Sequence, residues 1–346
     1  MKFDIIVAHR NENNYRERNL KEILKYYLDI IDPDTRIIIV EQNTDTEISI
    51  DDSRIVHIKE KYNTEYFWKA KLLNRGIRES VKEAFCVVDS DAVLSKEAID
   101  YLYSINVENF NMIFPYTEAR LMNEGQTRLW IKERKMPVEV DQSIQKSHIC
   151  YTGFFMAMSR RNYNAIGGYD EEYIGWGGED DAVVVKTKRI NDISRMPIQS
   201  IVLHMYHPRK DNPEYTSSAR YEMNELFTHA LKTMSNDDLH TYCSGKIDLK
   251  SIVVKMGITR DNLYATITLK SGANTKIPIR GVYPLPNKNG EFDIPTMFKG
   301  LYVLLGKEEF VRNTIQLVTA SRDTEERNEF KRMIDDTIEY FETHDS

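Results

Sequence analysis

The sequence lacks any long apolar run. Nowhere in its 346 residues do apolar residues approach the ~20 in succession that a membrane-spanning helix needs. Its first apolar stretch, within MKFDIIVAHR, is too short for a secretory signal and is soon followed by charged residues. The three cysteines are odd in number and widely spaced, which indicates reduced thiols rather than a disulfide framework. We therefore expect a cytoplasmic protein without a transmembrane segment.

An excess of positive charge is also missing. The 47 Lys and Arg residues are outnumbered by 54 Asp and Glu, which argues against a basic surface for binding nucleic acid. A phosphotransferase with a glycine-rich phosphate loop is disfavoured, because no G-x-x-x-x-G-K motif occurs. There is no proline-rich or glycine-rich tract, and the 41% of hydrophobic residues is ordinary for a globular protein. The length suggests about two domains.

Apolar runs alternate with segments of helical spacing in the first part of the chain. Four runs are typical of buried strands: FDIIVA (3–8), RIIIVEQ (36–42), RIVHI (54–58) and AFCVV (84–88). Helical spacing follows over 16–31 and over 68–82, where Val81 falls on the apolar face. This alternation predicts an α/β fold with a mostly parallel central sheet.

Two segments depart from this alternation. Residues 117–149 are polar and lack clear periodicity, so they form either a loop over the site or an insertion. After Gly245, short strand-like segments with Pro and Gly between them precede a charged helical tail. We therefore predict two domains, 1–244 with the parallel sheet and 245–346 as a small C-terminal α+β module of unknown role.

Two carboxylates stand directly after a buried strand. Asp89 and Asp91 follow AFCVV, and ligands of parallel α/β sheets bind beyond the carboxyl ends of the strands. One carboxylate there can bind a divalent cation that neutralises a leaving diphosphate, while the other accepts a hydrogen bond from a ribose or sugar hydroxyl. The same pattern at Asp32 and Asp34 follows a helix and predicts a turn.

The most specific string is Trp-Gly-Gly-Glu-Asp-Asp, which begins at Trp176. Consecutive glycines such as Gly178 let the backbone approach a ligand closely, and acids are favoured in the first turn of a helix. Capping needs only one acid, so Glu179 and Asp180 are candidates to accept the proton of an attacking hydroxyl, a role worth roughly 10²–10⁴ in rate. Trp176 is a candidate to stack on a sugar ring.

Two histidines three residues apart end the strand-like segment SIVLHMYH (200–207). In a chain that already offers Asp91, His204 and His207 are candidate metal ligands. Carboxylate, imidazole and diphosphate oxygens suit Mn²⁺, or less tightly Mg²⁺.

In this order, the three sets resemble the GT-A fold glycosyltransferases, in particular the β-1,4-galactosyltransferase-like group with its polypeptide N-acetylgalactosaminyltransferase relatives. The resemblance runs from about Ile5 to Phe227. It is carried by IIIVEQN, FWKAKLLNRGI, FCVVDSDAVL, YTGFFMAMS, IGGYDEEYIGWGGEDD and HPR. It implies the GT-A (nucleotide-diphospho-sugar transferase) fold, a nucleotide-sugar donor and hexosyl transfer as the activity.

The resemblance also implies roles for single residues. Asp180 would be the catalytic base, and Glu179 would bind acceptor or donor hydroxyls. Asp91 and His207 would hold the metal. The residues implied in donor binding are Arg10, Phe67, Lys69, Asp89, Tyr151, Trp176 and Gly178.

Three departures from the family pattern leave the donor sugar open. Ala8 and His9 stand where the galactosyltransferases have proline and an aromatic residue, and Trp68 replaces a small polar residue. His204 falls where they use a methionine to bind the metal. Either His204 replaces that ligand, or the ligand is lost.

The reaction implied is metal-dependent, inverting transfer from a nucleotide sugar, expected to be a UDP-sugar, to an acceptor hydroxyl. A saccharide is the expected acceptor. DNA is the alternative, with a phage-type enzyme acting on a hydroxymethylated pyrimidine in an infected host, and it predicts binding that weakens steeply with salt. A non-catalytic protein that binds a nucleotide sugar or a glycan is a third interpretation, against which Asp91, Asp180 and His207 together argue.

Overall fold

The computed structural model describes residues 1–64, 66–135, 142–145, 153–175, 177–194 and 196–208, and beyond them 224, 227–228, 230–232, 234–246, 248–249, 264–268, 274–278, 302, 307, 310–311 and 324–344. The chain divides into two units, Met1–Asn212 with Leu239–Lys246 and Pro213–Asp238 with Ile247–Ser346. The assignment of 1–244 and 245–346 to separate domains stays a prediction.

The strands and helices of the described residues begin and end as follows. The strands are β1 (Phe3–His9), β2 (Ile37–Gln42), β3 (Ile55–Glu60), β4 (Ala84–Asp89), β5 (Ala92–Leu94), β6 (Met112–Ile113), β7 (Glu118–Leu121), β8 (Gln142–Gln145), β9 (Phe155–Ser159), β10 (Ile193–Ser194), β11 (Ile201–His204), β12 (Tyr264–Thr268) and β13 (Asn274–Pro278). The helices are α1 (Asn14–Ile30), α2 (Lys69–Glu79), α3 (Lys96–Ser104), α4 (Glu124–Glu133), α5 (Arg160–Ala165), α6 (Glu179–Ile190), α7 (Asn236–Cys243) and α8 (Thr324–His344). In this part of the chain, no helix is long and apolar enough to cross a membrane.

Seven strands form the central sheet of the first unit, in the order β10-β6-β9-β4-β1-β2-β3. Strands β4, β1, β2 and β3 are mutually parallel, and β9 runs antiparallel to both of its neighbours. The predicted α/β fold with a mostly parallel central sheet is therefore confirmed. All four apolar runs that the sequence marked as strands lie in this sheet, next to one another.

The inner strands are buried along their whole length, and most of their residues are apolar, because both of their faces are covered. Every residue of β1 and β2 is buried. On one face, α2 packs closely at Gly76, where a Cβ atom would lie 2.5 Å from Ile6 Cγ2 and 3.2 Å from Val40 Cγ2. A glycine at this position therefore sets the distance between α2 and the sheet.

The predicted extent of the second helix is wrong at its end. The spacing places Val81 on the buried face, but α2 ends at Glu79 and Val81 is 84% exposed. Ser80 already has an extended backbone, and its hydroxyl donates a hydrogen bond to buried Asp4 at 2.8 Å. This contact turns the chain out of the helix one residue before Val81.

A second sheet, in the order β5-β11-β7-β8, lies in the same unit. Strand β11 is antiparallel to β5 and parallel to β7, and its register pairs His204 with Ala92. Because Ala92 follows Asp91 directly, this pairing brings the histidine strand to the Asp-Ser-Asp segment. The polar stretch 117–149 contains β7, α4 and β8, so it is not a loop throughout.

In the second unit, β12 and β13 form an antiparallel pair, and α8 is its longest described helix. Tyr302 stacks on Phe341 of α8 with ring centroids 4.6 Å apart, and Phe310 lies against Tyr302 at 5.4 Å. The α+β module predicted over 245–346 stays a prediction.

Candidate active site

Three predicted metal ligands meet at the carboxyl end of β4. The Asp91 side chain is buried, with Oδ1 3.5 Å from His204 Nε2 and Oδ2 3.3 Å from His207 Nε2. The three ligand atoms all lie within 4.8 Å of one another, and no other such group of three occurs among the described residues. The structure thus brings together the residues that the sequence proposed from separate segments.

This group fits a divalent cation. Atoms bound at about 2.1 Å to one ion lie roughly 3–3.4 Å apart. The Asp91 oxygens lie at similar distances, 3.5 and 3.3 Å, from the Nε2 atoms of His204 and His207. Burial lowers the pKa of His207, although Asp91 opposes this, and the neutral imidazole that results is the form that binds metal. Two imidazole nitrogens and one carboxylate suit Mn²⁺ among other first-row ions.

Arg16 approaches the same carboxylate from α1, with Nη1 3.6 Å from Asp91 Oδ2. Asn13 caps this helix, since its side chain accepts hydrogen bonds from the main-chain N–H groups of Tyr15 and Arg16. A cation and a helix N-terminus beside the metal group favour a bound anion. Arg16 was not predicted as a site residue, because its place in a charged helix gives no signal of this contact.

A second cluster includes Asp89 and centres on Lys69, the first residue of α2. Its Nζ lies 2.8 Å from Asp180 Oδ2, 3.1 Å from Asp89 Oδ1 and 3.2 Å from Glu179 Oε1. Glu179 and Asp180 are the first two residues of α6, which begins after Gly178 with a φ of 89°. Four predicted site residues of the donor and base sets therefore share one cluster.

One ammonium group cannot neutralise three carboxylates, and the pKa values reflect this. Burial together with Glu179 and Asp89 raises the pKa of Asp180 to about 7, against the lowering effect of Lys69. Burial would lower the pKa of Lys69, but the three carboxylates outweigh it and hold that pKa well above its usual range. A carboxylate poised near neutral pH is suited to take a proton from a hydroxyl.

The backbone beside this cluster has an uncommon conformation. Gly153 has a φ of 134°, and Phe154 a φ of 59°, which is rare for a non-glycine residue. Phe154 N–H donates to Asp89 Oδ2 at 3.1 Å, and Tyr116 donates to the Gly153 carbonyl at 3.1 Å. Gly153 and Phe154 line a small pocket together with Lys69, Asp89 and Asp180. Gly153 was not predicted as a site residue, although a glycine between the apolar residues of YTGFF is a visible signal in the sequence.

The remaining predicted residues lie in different surroundings. Arg10 follows β1 and is half-buried, 4.0 Å from Glu12. Phe67 packs against the core, and its carbonyl accepts a hydrogen bond from Gly175 N–H at 3.0 Å. Tyr151 and Trp176, both predicted donor-binding residues, lie outside the described residues.

Lys186 anchors the loop that leads to α6. This fully buried lysine donates to the Gly168 carbonyl and to Asp170 Oδ1, each at 2.7 Å. It thereby ties α6 to the start of the segment that precedes Gly178. Sequence reasoning missed it, because a lysine within a helix is typical of a solvent-exposed face.

Two family models match the first unit. The one described as glycosyl transferase family 2 matches residues 4–167, and the one described as N-terminal domain of galactosyltransferase matches residues 135–208. The first match contains Lys69, Asp89 and Asp91, and the second contains Glu179, Asp180 and both histidines. Together the two matched ranges contain both clusters.

Curated relatives of the chain include β-1,4-galactosyltransferases. β-1,4-Galactosyltransferase 1 of Bos taurus is 25% identical over 272 residues, which are 78% of this chain and 56% of the relative. The Homo sapiens protein of the same name is 25% identical over 247 residues, 70% of this chain and 52% of the relative. The chain thus spans about half the length of the curated relatives it matches.

Matches among solved structures are distant. S. aureus TarS 1–349 in complex with UDP-GlcNAc is 13% identical with a TM-score of 0.47, over 98% of this chain and 92% of that one. The mannosyltransferase PcManGT from Pyrobaculum calidifontis in complex with GDP-Man and Mn2+ is 12% identical with a TM-score of 0.45, over 75% and 74%.

Proposed function

We propose that the chain is a glycosyltransferase of the GT-A group that transfers a sugar from a UDP-sugar to a saccharide hydroxyl, with a divalent metal and with inversion at the anomeric carbon. One observation carries this proposal. A three-residue metal group at Asp91 and a buried carboxylate with a raised pKa, which Lys69 links to Asp89, lie at the end of the same strand.

The metal group is proposed to receive the diphosphate of the donor. Asp91, His204 and His207 would hold Mn²⁺, or Mg²⁺ less tightly, and the ion would supply positive charge to stabilise the leaving nucleoside diphosphate. Arg16 adds a second positive charge close to Asp91. Since His204 faces the carboxylate, it is suited to replace the methionine of the galactosyltransferases as a ligand.

Asp180 is proposed as the catalytic base. Its raised pKa makes it a competent proton acceptor near neutral pH, and Lys69 at 2.8 Å favours its ionised form. As the acceptor oxygen attacks the anomeric carbon, its proton passes to Asp180 and the bond to the diphosphate breaks on the opposite face of the sugar. Glu179 lies in the same cluster and is proposed to bind acceptor or donor hydroxyls.

The donor is proposed to lie across the pocket at Asp89. Asp89 would accept hydrogen bonds from ribose or sugar hydroxyls, and its orientation is fixed by Lys69 and by Phe154 N–H. Phe67 and Arg10 would contact the nucleotide. Trp176 and Gly178 would line the sugar sites and Tyr151 the donor-sugar pocket, as the resemblance implies. The names of the β-1,4-galactosyltransferase relatives support sugar transfer, and a UDP-sugar as donor is what the resemblance implies.

Hydrolysis of the donor tests the proposal without knowledge of the acceptor. Purified protein with Mn²⁺ is offered a panel of UDP-, GDP- and TDP-sugars, and release of nucleoside diphosphate is measured for the wild type and for Asp91→Ala. We expect metal-dependent release from a UDP-sugar, lost in the variant. Absence of release from every donor, together with absence of metal-dependent nucleotide binding, would favour a non-catalytic binding protein instead.

A further inference from the structure

His207 lies beyond the end of the strand that carries His204. Strand pairing holds β11 only as far as its last residue, His204. The carbonyl of His204 accepts a hydrogen bond from Met122 N–H at 3.0 Å. The next main-chain contact is made by Met205 N–H, which donates to the Asp91 carbonyl at 2.8 Å. Whatever holds Tyr206, the residue between Met205 and His207, therefore decides where the His207 ring is placed.

Side chains from two helices hold both main-chain polar groups of Tyr206. Its N–H donates to Thr127 Oγ1 of α4 at 2.8 Å. Its carbonyl accepts from Asn19 Nδ2 of α1 at 3.1 Å and from Arg18 Nη2 at 3.2 Å. Thr127 and Asn19 are both fully buried. Arg18 in turn donates to Asn19 Oδ1 at 2.9 Å, which fixes the orientation of the amide.

We propose that Thr127 and Asn19 are positioning residues that set the metal affinity of the site by clamping the main chain of Tyr206 between the two histidines. The inference rests on the proposed function, because it takes Asp91, His204 and His207 as the metal ligands. Metal ligands bind tightly only when their own rotamers and backbone are held in the bound geometry, so loss of a supporting hydrogen bond weakens binding. Neither residue belongs to the metal group itself.

The test measures binding of Mn²⁺ alone, from the electron paramagnetic resonance signal of the free ion. Thr127→Val keeps the shape of the side chain but removes the acceptor for Tyr206 N–H, and Thr127→Ser restores it. We expect Thr127→Val to weaken Mn²⁺ binding by about 10- to 100-fold and Thr127→Ser to bind as the wild type does. For donor hydrolysis, we expect Thr127→Val to need a higher Mn²⁺ concentration for half-maximal activity. At saturating Mn²⁺, its rate should return to that of the wild type.

A matched control separates positioning from a general loss of stability. Thr35 is buried as well, and its hydroxyl pairs with Tyr103 at 2.8 Å. Thr35→Val should lower the melting temperature and leave Mn²⁺ affinity unchanged. If Thr127→Val does not fold, Asn19→Leu removes the contact from α1 and should weaken Mn²⁺ binding in the same way.

Two results would overturn the inference. One is wild-type Mn²⁺ affinity in a folded Thr127→Val or Asn19→Leu protein, and the other is an equal loss in Thr35→Val. Asp91→Ala identifies failure of the proposed function separately. If the wild type binds no Mn²⁺, or if Asp91→Ala binds it unchanged, the metal site itself is wrong and the inference falls with it.

Discussion

Replacing Lys69 by methionine should move the pH dependence of the reaction upward. The ammonium group lies 2.8–3.2 Å from three carboxylates, and it is the cation that opposes the rise in the pKa of Asp180. Loss of an opposite charge at such a distance raises the pKa of a carboxyl group by about 1–3 units. A base acts only when it is ionised, so a higher pKa removes activity as the pH falls through it.

The size of the effect follows from that shift. Starting from a pKa of about 7, half of Asp180 is ionised at neutral pH. A shift of about 1–3 units leaves roughly a tenth to a thousandth ionised, so the rate at pH 7 should fall roughly 5- to 500-fold and recover at higher pH. Weaker donor binding by the same variant would lower kcat/KM at every pH and would not move the acid limb.

The assay is the pH profile of kcat/KM for release of nucleoside diphosphate. Lys71→Met is the matched control, because Lys71 lies two residues further along α2 with its Nζ over the rings of Tyr62 and Trp68, at 4.7 and 4.2 Å. An acid limb that stays in place or moves to lower pH in Lys69→Met would refute the reasoning. An equal displacement in Lys71→Met would do the same.

Two further predictions concern stability, measured by urea unfolding. Lys186→Met removes the buried cation that pairs with Asp170 and should lower the free energy of unfolding by about 3–5 kcal/mol; wild-type stability would show that this buried pair contributes nothing. Gly153→Ala forces a non-glycine residue to a φ of 134° and should cost about 1–3 kcal/mol, whereas Gly125→Ala within α4 should be neutral or stabilising. Equal effects of the two glycine substitutions would contradict the assigned backbone strain.

The metal group was predictable from the sequence because each of its members ends or follows a strand. A buried apolar run predicts the strand, and the carboxyl ends of neighbouring strands lie at one edge of a sheet. This rule predicts Asp91, whereas His204 and His207 are predicted from their spacing near a strand end in a chain that already offers Asp91. Their approach depends on the antiparallel pairing of β11 with β5, which no local pattern in the sequence reveals.

Contacts between residues far apart in the sequence were not predictable. Thr127, Asn19 and Lys186 act through partners 16 to 187 residues away, and periodicity carries no information at that range. Helix α4 was also not predicted, although its start can be read from the sequence. Asn123 and Gln126 form a capping box in NEGQ, a readable start signal within the polar stretch.

Val81 shows a helix predicted to extend beyond its observed end. Its spacing fits the apolar face of α2, but the helix ends first, where the Ser80 hydroxyl donates to buried Asp4 and Arg160 donates to the carbonyls of Ile77 and Ser80. Periodicity predicts the face of a helix well and its end poorly, since the end depends on such tertiary contacts.

The most direct test of the account compares one substitution in the metal group with one in the Lys69 cluster. For Asp91→Ala and Asp180→Asn, the affinity for the nucleoside diphosphate in Mn²⁺ and the rate of sugar transfer are measured side by side. The account predicts that Asp91→Ala loses metal-dependent nucleotide binding, whereas Asp180→Asn binds nucleotide nearly as the wild type does and loses transfer. Transfer by Asp180→Asn at the wild-type rate, or unchanged nucleotide affinity in Asp91→Ala, would contradict it.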